Sequence, residues 1–592
     1  MKGSFKKVAA LTLCLTMGAS TGVSLAACTK KDNVIVDGKT INIRMVEAGN
    51  GVEWAYVLAD EFERVYANEG YQVNILEPSS DMSGSVALTD MAMGTEETGI
   101  DLYITGGIKA DELGVDGSYA NGTALAEDIR ELVYNQPAIG YDGVEESVKI
   151  SDKISVEQAS YSVDSHGAMY GFQYNNTTGG LAVNKKKLDQ YGLELPKTTN
   201  ELWACVEAIK LGANGVKGSA ETKNYPFTYV SGSNGYVVQA LQTWLAQYDY
   251  QESQRFWSMQ ETAADGTKTD MLTNGYEVFN TLAVEEMLTL AHQYMDIRIA
   301  TNGSTTHSLD TAQSHLIQEN NGYQPSAVFM FNGSWMYNEV KLNFNKDLLQ
   351  NITFINMPVI SALGTRLMGS DTSYGLDDAK CDEILSYIVG MVDENKTIAE
   401  MITAVQSEFS VTLSEDVVKE IARARGLNYT RGIEQIAVIN KNAAAKEPAA
   451  LFLRMMASDD FAQTWLETAN SAPLYSKNLD MTNVTNEFVR AAVEICTNDY
   501  AECFTGPRST SGLRKKLGLN STMFSLITHI PSEVYKTYGE GKNVNSIFEE
   551  DGSKSTSKGM EIYRTAAKAM QEREYEHCMG QWSKWLTEHG LG

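Results

Sequence analysis

From about residue 40 to residue 107, the spacing of hydrophobic residues is typical of strands in some segments and of helices in the segments between them. In residues 40–46, apolar residues alternate with polar ones as in an opening strand, and the following helix carries its apolar residues on one face. Gly70 ends that helix, residues 71–76 predict a second strand, and residues 99–107 predict a buried strand ending in glycines. This strand–helix rhythm predicts a parallel α/β sheet, whose ligands lie beyond the carboxyl ends of the strands.

The same two spacings recur further along the chain. Residues 168–187 predict a strand, a polar turn containing glycines, and a second strand that enters a short helix. Residues 237–298 have mainly helical periodicity, whereas residues 377–432 are polar, charged and helical, which indicates an insertion. Further strands are predicted at 328–331, 352–358 and 436–440, and a surface loop at 539–557.

The composition, the net charge and the absence of several motifs indicate which ligands and partners to expect. Hydrophobic residues make up 43% of the 592, which is typical of a globular protein. The net charge is −28, and an acidic surface of this size repels phosphate backbones, so we expect no nucleic-acid partner. The sequence has no P-loop, His-Glu-x-x-His or Cys-x-x-Cys pattern, and its seven histidines are scattered. We therefore expect no metal and no cofactor.

The N-terminus has the pattern of a secretory signal. Lys2, Lys6 and Lys7 precede an apolar run at about 8–18, which is too short to span a bilayer. The sequence Leu-Ala-Ala-Cys ending at Cys28 resembles a bacterial lipobox, in which the cysteine receives a diacylglycerol thioether. The alternative is an ordinary signal with a chance cysteine. The lipobox interpretation predicts a protein at the extracellular face of the cell membrane, attached by lipid alone.

Several degenerate motifs follow one another in a recognisable order. They are Glu53-Trp54, Asp101-Leu102-Tyr103-Ile104, Tyr170-Gly171-Phe172, Leu181-Ala182-Val183-Asn184-Lys185, Pro196-Lys197-Thr198, Gly333-Ser334-Trp335 and Ala472-Pro473-Leu474. Together with the lipobox, this order resembles the extracellular solute-binding lipoproteins of bacterial carbohydrate ABC importers, the family that includes maltose-binding protein. The likeness spans about 40–360 and 435–480. The insertion and the long C-terminal part have no family counterpart.

The resemblance implies an α/β, two-lobed periplasmic-binding-protein-like (class II) fold with a hinge, an inter-lobe ligand cleft and discontinuous lobes. The expected crossings of the hinge lie near 172–180, near 358–370 and near Ser458. The expected segments are a signal peptide at 1–27, a tether at 28–39, an N-terminal lobe at 40–172 and 359–457, and a C-terminal lobe at 173–358 and 458–592.

The function implied by the resemblance is capture of a carbohydrate, expected to be an oligosaccharide, by closure of the hinge. Such a receptor is a monomer that delivers its ligand to ABC transporter permease subunits and performs no bond chemistry. Two alternatives stay open: a receptor of the same fold for a non-sugar solute such as a peptide or polyamine, and a surface glycoside hydrolase. A hydrolase needs a carboxylate pair, and no pair stands out in the sequence.

Burying a sugar requires aromatic rings against its apolar face and polar groups paired with its hydroxyls. Candidates therefore lie at strand ends and glycine turns, and Trp335 is the strongest because a stacking tryptophan of the family occupies the matching motif. For Trp54 and Trp244, packing in the core is the alternative. The candidate ligand-binding residues are Glu53, Trp54, Asp81, Thr105, Gly106, Tyr174, Asn175, Asn176, Trp244, Ser334 and Trp335.

Overall fold

The computed structural model describes residues 34–47, 49–79, 83–94, 98–211, 224–230, 235–263, 265–296, 299–301, 306–319, 325–429, 435–504 and 556–590. The predicted signal peptide, Cys28, Asp81 and most of the predicted loop at 539–557 lie outside these residues.

The strands, numbered in chain order, are β1 (Thr40–Met45), β2 (Gln72–Ile75), β3 (Leu102–Thr105), β4 (Pro137–Ile139), β5 (Glu145–Lys149), β6 (Phe172–Gln173), β7 (Asn175–Asn176), β8 (Gly179–Asn184), β9 (Asn224–Phe227), β10 (Gln260–Thr262), β11 (Lys268–Asp270), β12 (Ser326–Gly333), β13 (Ile352–Ile355), β14 (Leu427–Tyr429), β15 (Ile436–Ile439), β16 (Ala472–Pro473) and β17 (Glu502–Phe504).

The α-helices are α1 (Glu53–Val65), α2 (Gly84–Met93), α3 (Ala110–Leu113), α4 (Val156–Ser160), α5 (Lys185–Asp189), α6 (Thr199–Leu211), α7 (Gly235–Tyr248), α8 (Tyr250–Ser258), α9 (Leu282–Tyr294), α10 (Leu309–Ile317), α11 (Met336–Val340), α12 (Lys346–Leu349), α13 (Ser361–Met368), α14 (Asp378–Asp393), α15 (Ile398–Phe409), α16 (Glu415–Gly426), α17 (Lys446–Met456), α18 (Asp459–Ala469), α19 (Glu487–Thr497) and α20 (Thr556–Glu588).

Two separate sheets organise the molecule into two lobes. The first sheet has the order β2-β1-β3-β15-β6, with β1 parallel to β2 and β3, and β15 antiparallel to both of its neighbours. The second has the order β13-β8-β12-β9 and mixes antiparallel and parallel pairs. Strands β8, β12 and β15 are buried along their whole length, which explains their nearly continuous apolar sequences. The sequence predicted this α/β, two-lobed fold with discontinuous lobes, and the fold is confirmed.

The crossings between the lobes differ in part from the expected positions. The chain leaves the first sheet at Gln173 and enters the second at Gly179, within the expected first crossing. It returns to the first sheet between β14 and β15, well after the expected 358–370. It crosses again at β16, which pairs with β7, rather than near Ser458. The sequence gives no signal for these shifts because α17 and α18, on either side of Ser458, have equally apolar faces.

The insertion also packs on a different lobe from the one expected. Helices α14 to α16 bury residues such as Cys381, Ile388 and Val418 in the same hydrophobic cluster as β8 and β12. Conversely, Phe461 and Trp465 of α18 lie in the cluster of the N-terminal lobe, against α1. The assignments of 359–457 to the N-terminal lobe and of 458–592 to the C-terminal lobe are therefore wrong in these segments. The helical character predicted for the insertion is confirmed.

The C-terminal part of the chain completes the C-terminal lobe. Helix α19 packs on β13, and the long α20 packs along α9. Tyr563 and Trp582 of α20 are fully buried, and the Trp582 Nε1 donates to the Leu272 carbonyl at 2.8 Å. In the described part of the chain, no helix has both the length and the apolar character needed to cross a membrane.

Candidate functional site

The carboxyl edges of both sheets meet at the hinge. In the first sheet, Thr105 pairs with Ile436, which pairs with Gln173, so β3 and β6 end at the same edge. In the second sheet, Gly333 at the end of β12 pairs with Gly179 at the start of β8. Between them, the short pair of β7 and β16 joins the lobes. Ligands of α/β sheets bind at such carboxyl edges, and the predicted cleft therefore lies here.

Trp335 lies at this edge, and its ring lies over Gly333, which has no side chain. A Cβ atom on Gly333 would come within 2.2 Å of the Trp335 ring, so the indole can take this position only above glycine. Its Nε1 is 3.4 Å from the Tyr236 Oη, to which it donates, and the two ring centroids are 6.1 Å apart. Trp335 is only partly buried, at the start of α11. The two rings form an aromatic surface at the rim of the C-terminal lobe.

A second glycine makes room for an amide beside this surface. A Cβ atom on Gly179 would lie 2.5 Å from the Gln239 Oε1. Because Gly179 and Gly333 are directly opposite in an antiparallel pair, side-chain positions at both point to the same face of the sheet. Gly179, Tyr236, Gln239, Gly333 and Trp335 therefore lie together on one face of the sheet, and we call this group the glycine shelf.

The predicted hinge residues are held by hydrogen bonds to the protein. The Tyr174 Oη and the Asn175 Nδ2 both donate to the Gln435 Oε1, at 3.1 and 3.3 Å. The Asn176 Nδ2 donates to the Cys496 carbonyl at 3.2 Å, and its Oδ1 accepts from the Cys503 Sγ at 3.3 Å. Tyr174 and Asn175 are thus fixed to the segment before β15 of the first sheet, whereas Asn176 is fixed to the end of α19, which packs on the second sheet.

Trp54 and Trp244, predicted as ligand candidates, are core residues. Trp54 is 1% exposed, and its ring lies 5.2 Å from the Tyr174 ring and 5.4 Å from the Trp465 ring. Trp244 is equally buried and donates its Nε1 to the Pro358 carbonyl at 3.2 Å. Neither indole has a face open to a ligand, because each lies on the apolar stripe of its helix. The alternative that the sequence left open, packing in the core, is the correct one.

The remaining candidates divide between the two lobes. Thr105 is fully buried at the end of β3, and Gly106 behind it is partly buried. Glu53 is exposed at the start of α1, and its charge raises the pKa of Lys341, which burial lowers more strongly. Ser334 is held between strands, since its N–H donates to the Thr178 carbonyl at 2.9 Å and its Oγ accepts from the Thr178 N–H.

One contact across the lobes had no signal in the sequence. The Asn338 Nδ2 donates to the Asn50 Oδ1 at 3.2 Å and to the Ala469 carbonyl at 2.7 Å, both in the N-terminal lobe. Its Oδ1 accepts from the Lys341 Nζ at 2.9 Å. Asn338 lies in α11, three residues after Trp335, so one short helix carries both the indole and this inter-lobe contact.

Sequence reasoning also missed Tyr236 and Gln239, although a signal for them exists. Both lie in the first turns of α7, directly after the start of the helix at Gly235. Trp244, a candidate of the sequence analysis, lies about two turns further along the same helix. A helix start at the carboxyl edge of a sheet presents its first turn to the cleft and carries its later turns into the core.

Among the described residues, no cluster of three or more His, Cys, Asp or Glu is arranged to hold a metal.

A comparison with protein-family models finds a match over part of the chain. The family model described as bacterial extracellular solute-binding protein matches residues 48–269. Among curated proteins, none is significantly similar in sequence.

Several solved structures are similar to this chain in fold, at low sequence identity. AcbH, a bacterial solute receptor with a preference for β-D-galactopyranose, has a TM-score of 0.48 at 11% identity, covering 92% of this chain and 100% of that chain. The maltose-binding periplasmic protein of Listeria monocytogenes has a TM-score of 0.46 at 13% identity, covering 91% and 99%. A mannobiose-bound protein of Bifidobacterium animalis subsp. lactis has a TM-score of 0.42 at 15% identity, covering 91% and 98%. The solute-binding part of the resemblance drawn from the motifs is confirmed by the family model: through residues 48–269, the chain matches the bacterial extracellular solute-binding proteins.

Proposed function

We propose that the protein is a lipid-anchored extracellular receptor that captures a carbohydrate between its lobes and delivers it intact to an ABC transporter permease. The family match supports solute binding, and the glycine shelf supports the choice of a carbohydrate. The observation that carries the proposal is the Trp335 indole lying over Gly333 at the carboxyl edge of the second sheet.

The chemistry of this surface suits a sugar ring. A pyranose has an apolar face that stacks on aromatic rings, and hydroxyls at its edge that require hydrogen-bond partners once buried. Trp335 and Tyr236 offer aromatic area on one side, and the Gln239 amide lies on the same face of the sheet. A peptide or polyamine receptor would favour charged groups at this position, and the described shelf has none.

Closure of the hinge is the proposed signal to the permease. A ligand that touches both lobes stabilises the closed form by the extra contacts that it makes there. Asn338 supports this proposal because it already joins the lobes three residues after Trp335, so ligand contact and lobe contact share helix α11.

The anchor and the cellular location rest on the sequence pattern at Cys28. Two acyl chains on one cysteine satisfy the requirement for stable membrane attachment without a spanning helix. We expect Cys28→Ser to release the protein from the membrane or leave it as an unprocessed precursor, measured by fractionation of cells. Normal membrane retention of this variant would contradict the anchor.

Titration of a panel of glycans tests the function directly. Maltose, maltotriose, mannobiose, chitobiose and cellobiose are added to the protein lacking residues 1–28, followed by thermal shift and calorimetry. We expect 1:1 binding by at least one sugar, a smaller radius of gyration in the complex, and no release of reducing ends. Binding of peptides or polyamines but of no sugar would show that the ligand is a non-sugar solute. Hydrolysis of the glycan would contradict the proposal that the receptor performs no catalysis.

A further inference from the structure

Gln239 has a buried amide with no partner. Its side chain is 3% exposed, yet neither its Oε1 nor its Nε2 makes a hydrogen bond. Leaving both ends of a buried amide unpaired is unfavourable, because water satisfied both ends in the unfolded chain. Most buried polar groups of folded proteins are paired, so an unpaired one calls for an explanation.

The position of this amide points to a ligand. The Gln239 Oε1 lies 2.5 Å from the place of a Cβ on Gly179, and the Trp335 ring lies 2.2 Å from the place of a Cβ on Gly333. Directly opposite residues of an antiparallel pair have Cβ positions about 4.5–5.5 Å apart. The amide and the indole are therefore neighbours above the two glycines. Gln239 also follows Tyr236 by one helical turn, so the amide, the phenol and the indole share one face.

We propose that Gln239 is a specificity-determining residue of the glycine shelf, whose amide pairs with hydroxyls at the edge of a sugar ring stacked on Trp335. This inference rests on the proposed function. A carboxamide donates from its nitrogen and accepts at its oxygen, which matches two neighbouring hydroxyls of one ring. The amide breaks no hydrogen bond when it turns towards the ligand, because in the empty protein it has none.

The proposal predicts opposite effects of one substitution on stability and on binding. Replacing an unpaired buried amide by an apolar group of the same shape removes an unfavourable burial, so the empty protein becomes more stable. The same change leaves the sugar hydroxyls without partners, so binding becomes weaker. A residue that serves only packing does not produce this pair of effects.

The test uses the protein lacking residues 1–28 and the disaccharide of the glycan panel that binds it most tightly. Gln239→Met keeps the length of the side chain and removes both polar atoms. Gln242→Met is the matched control, because Gln242 lies one turn further along α7, is also buried, and has an unpartnered Oε1. We expect both variants to raise the Tm of the empty protein. Only Gln239→Met should raise the Kd, by roughly tenfold or more.

Monodeoxy analogues of the same disaccharide make the result specific to hydroxyl recognition. The unsubstituted protein should bind at least one analogue roughly tenfold more weakly than the parent sugar. Gln239→Met should bind that analogue and the parent sugar with equal affinity. Unchanged Kd in Gln239→Met, or equal weakening by Gln242→Met, overturns the role of Gln239. If Gln239→Met does not fold, Gln239→Leu is measured against the same outcomes. If no sugar binds the unsubstituted protein, the proposed function fails first and this inference fails with it.

Discussion

Trp54 of the N-terminal lobe and Trp335 of the C-terminal lobe lie in opposite environments, although Trp244 and Trp582 of the C-terminal lobe are buried like Trp54. In the N-terminal lobe, Trp54 and Trp465 contact each other in the core, and both are almost fully buried. In the C-terminal lobe, Trp335 lies at the edge of a sheet, over a glycine and only partly buried. The difference follows from what lies under each ring: a helix stripe carries an indole inward, whereas a strand that ends in glycine leaves it at the rim. The residue type alone therefore does not identify a ligand contact.

The largest expected effect comes from the buried side of this comparison. Trp54→Ala should lower the free energy of unfolding by about 3–5 kcal/mol, because it leaves a cavity beside the Tyr174, Phe461 and Trp465 rings. Urea denaturation followed by fluorescence measures this loss. At a temperature where the variant is folded, its Kd for the panel sugar should match that of the unsubstituted protein. A clear loss of affinity with little loss of stability would instead place Trp54 in the cleft.

The second largest effect is a difference in the response of the lobes to acid. Burial lowers the pKa values of His292 and His315 in the C-terminal lobe to about 4. In the N-terminal lobe, hydrogen bonding to Asp116 raises the pKa of the exposed His166. Between pH 6.5 and 4 the unfolded chain binds protons at His292 and His315 that the folded chain does not, so stability falls as the pH falls. His166 acts in the other direction, since its contribution is present in acid and is lost as the pH rises.

The net expectation is weaker folding of the C-terminal lobe in acid. Each histidine contributes on the order of 1–3 kcal/mol across the full window, and His315 contributes the smaller share because solvent screens it more. Urea unfolding at pH 7 and pH 5, followed by fluorescence, measures the effect, because six of the eight tryptophans lie in or against the core of that lobe. His292→Gln removes one titrating group and should flatten the profile. A stability that stays constant from pH 7 to pH 4.5 would contradict the prediction.

The sequence predicted the fold better than the crossings between the lobes. Strands β3, β12 and β15 were evident because buried strands have nearly continuous apolar sequences, and β1 was evident because its apolar residues alternate with polar ones. The order of these strands indicated two α/β lobes. The crossings depend instead on which core a helix packs against. The apolar face of α18 has the same character as those of the insertion helices, yet the first packs in the N-terminal cluster and the others in the C-terminal cluster. Periodicity shows that one face of a helix is buried, but it does not show against which lobe's core that face packs.

The site was predictable where it depends on local sequence. Gly333-Ser334-Trp335 places an indole directly after a strand, and the structure has it there. Asn338 was not predictable, since its role arises from a contact with Asn50, which is far away in the chain. For Gln239, the start of α7 was a signal, but its position against Gly179 was not predictable. The hairpin of β10 and β11 was missed as well, within a region of mainly helical periodicity.

The exposed side of the comparison gives the third effect. Trp335→Ala should weaken sugar binding by roughly 1–3 kcal/mol, because a stacked and partly buried aromatic contact is lost. The loss of stability should be much smaller than for Trp54→Ala. Calorimetry measures the affinity, and Trp335→Phe should restore part of it by returning an aromatic face. Unchanged affinity together with a lowered Tm would assign Trp335 to packing, and the contrast between Trp54 and Trp335 would disappear.

The smallest expected effect tests whether the two lobes are coupled through α11. Asn338→Ala removes the hydrogen bonds to Asn50 and Ala469, each worth about 1 kcal/mol, so the open form gains population. Apparent affinity falls with the fraction of molecules that can close, and we expect a Kd about fivefold weaker and a larger radius of gyration in X-ray scattering. Asn343→Ala is the matched control, since the Asn343 amide contacts only the Glu339 carbonyl of its own segment and is exposed. Equal Kd values in both variants would show that sugar contact at Trp335 and closure of the lobes are independent, because the inter-lobe hydrogen bonds of α11 would then make no difference to binding.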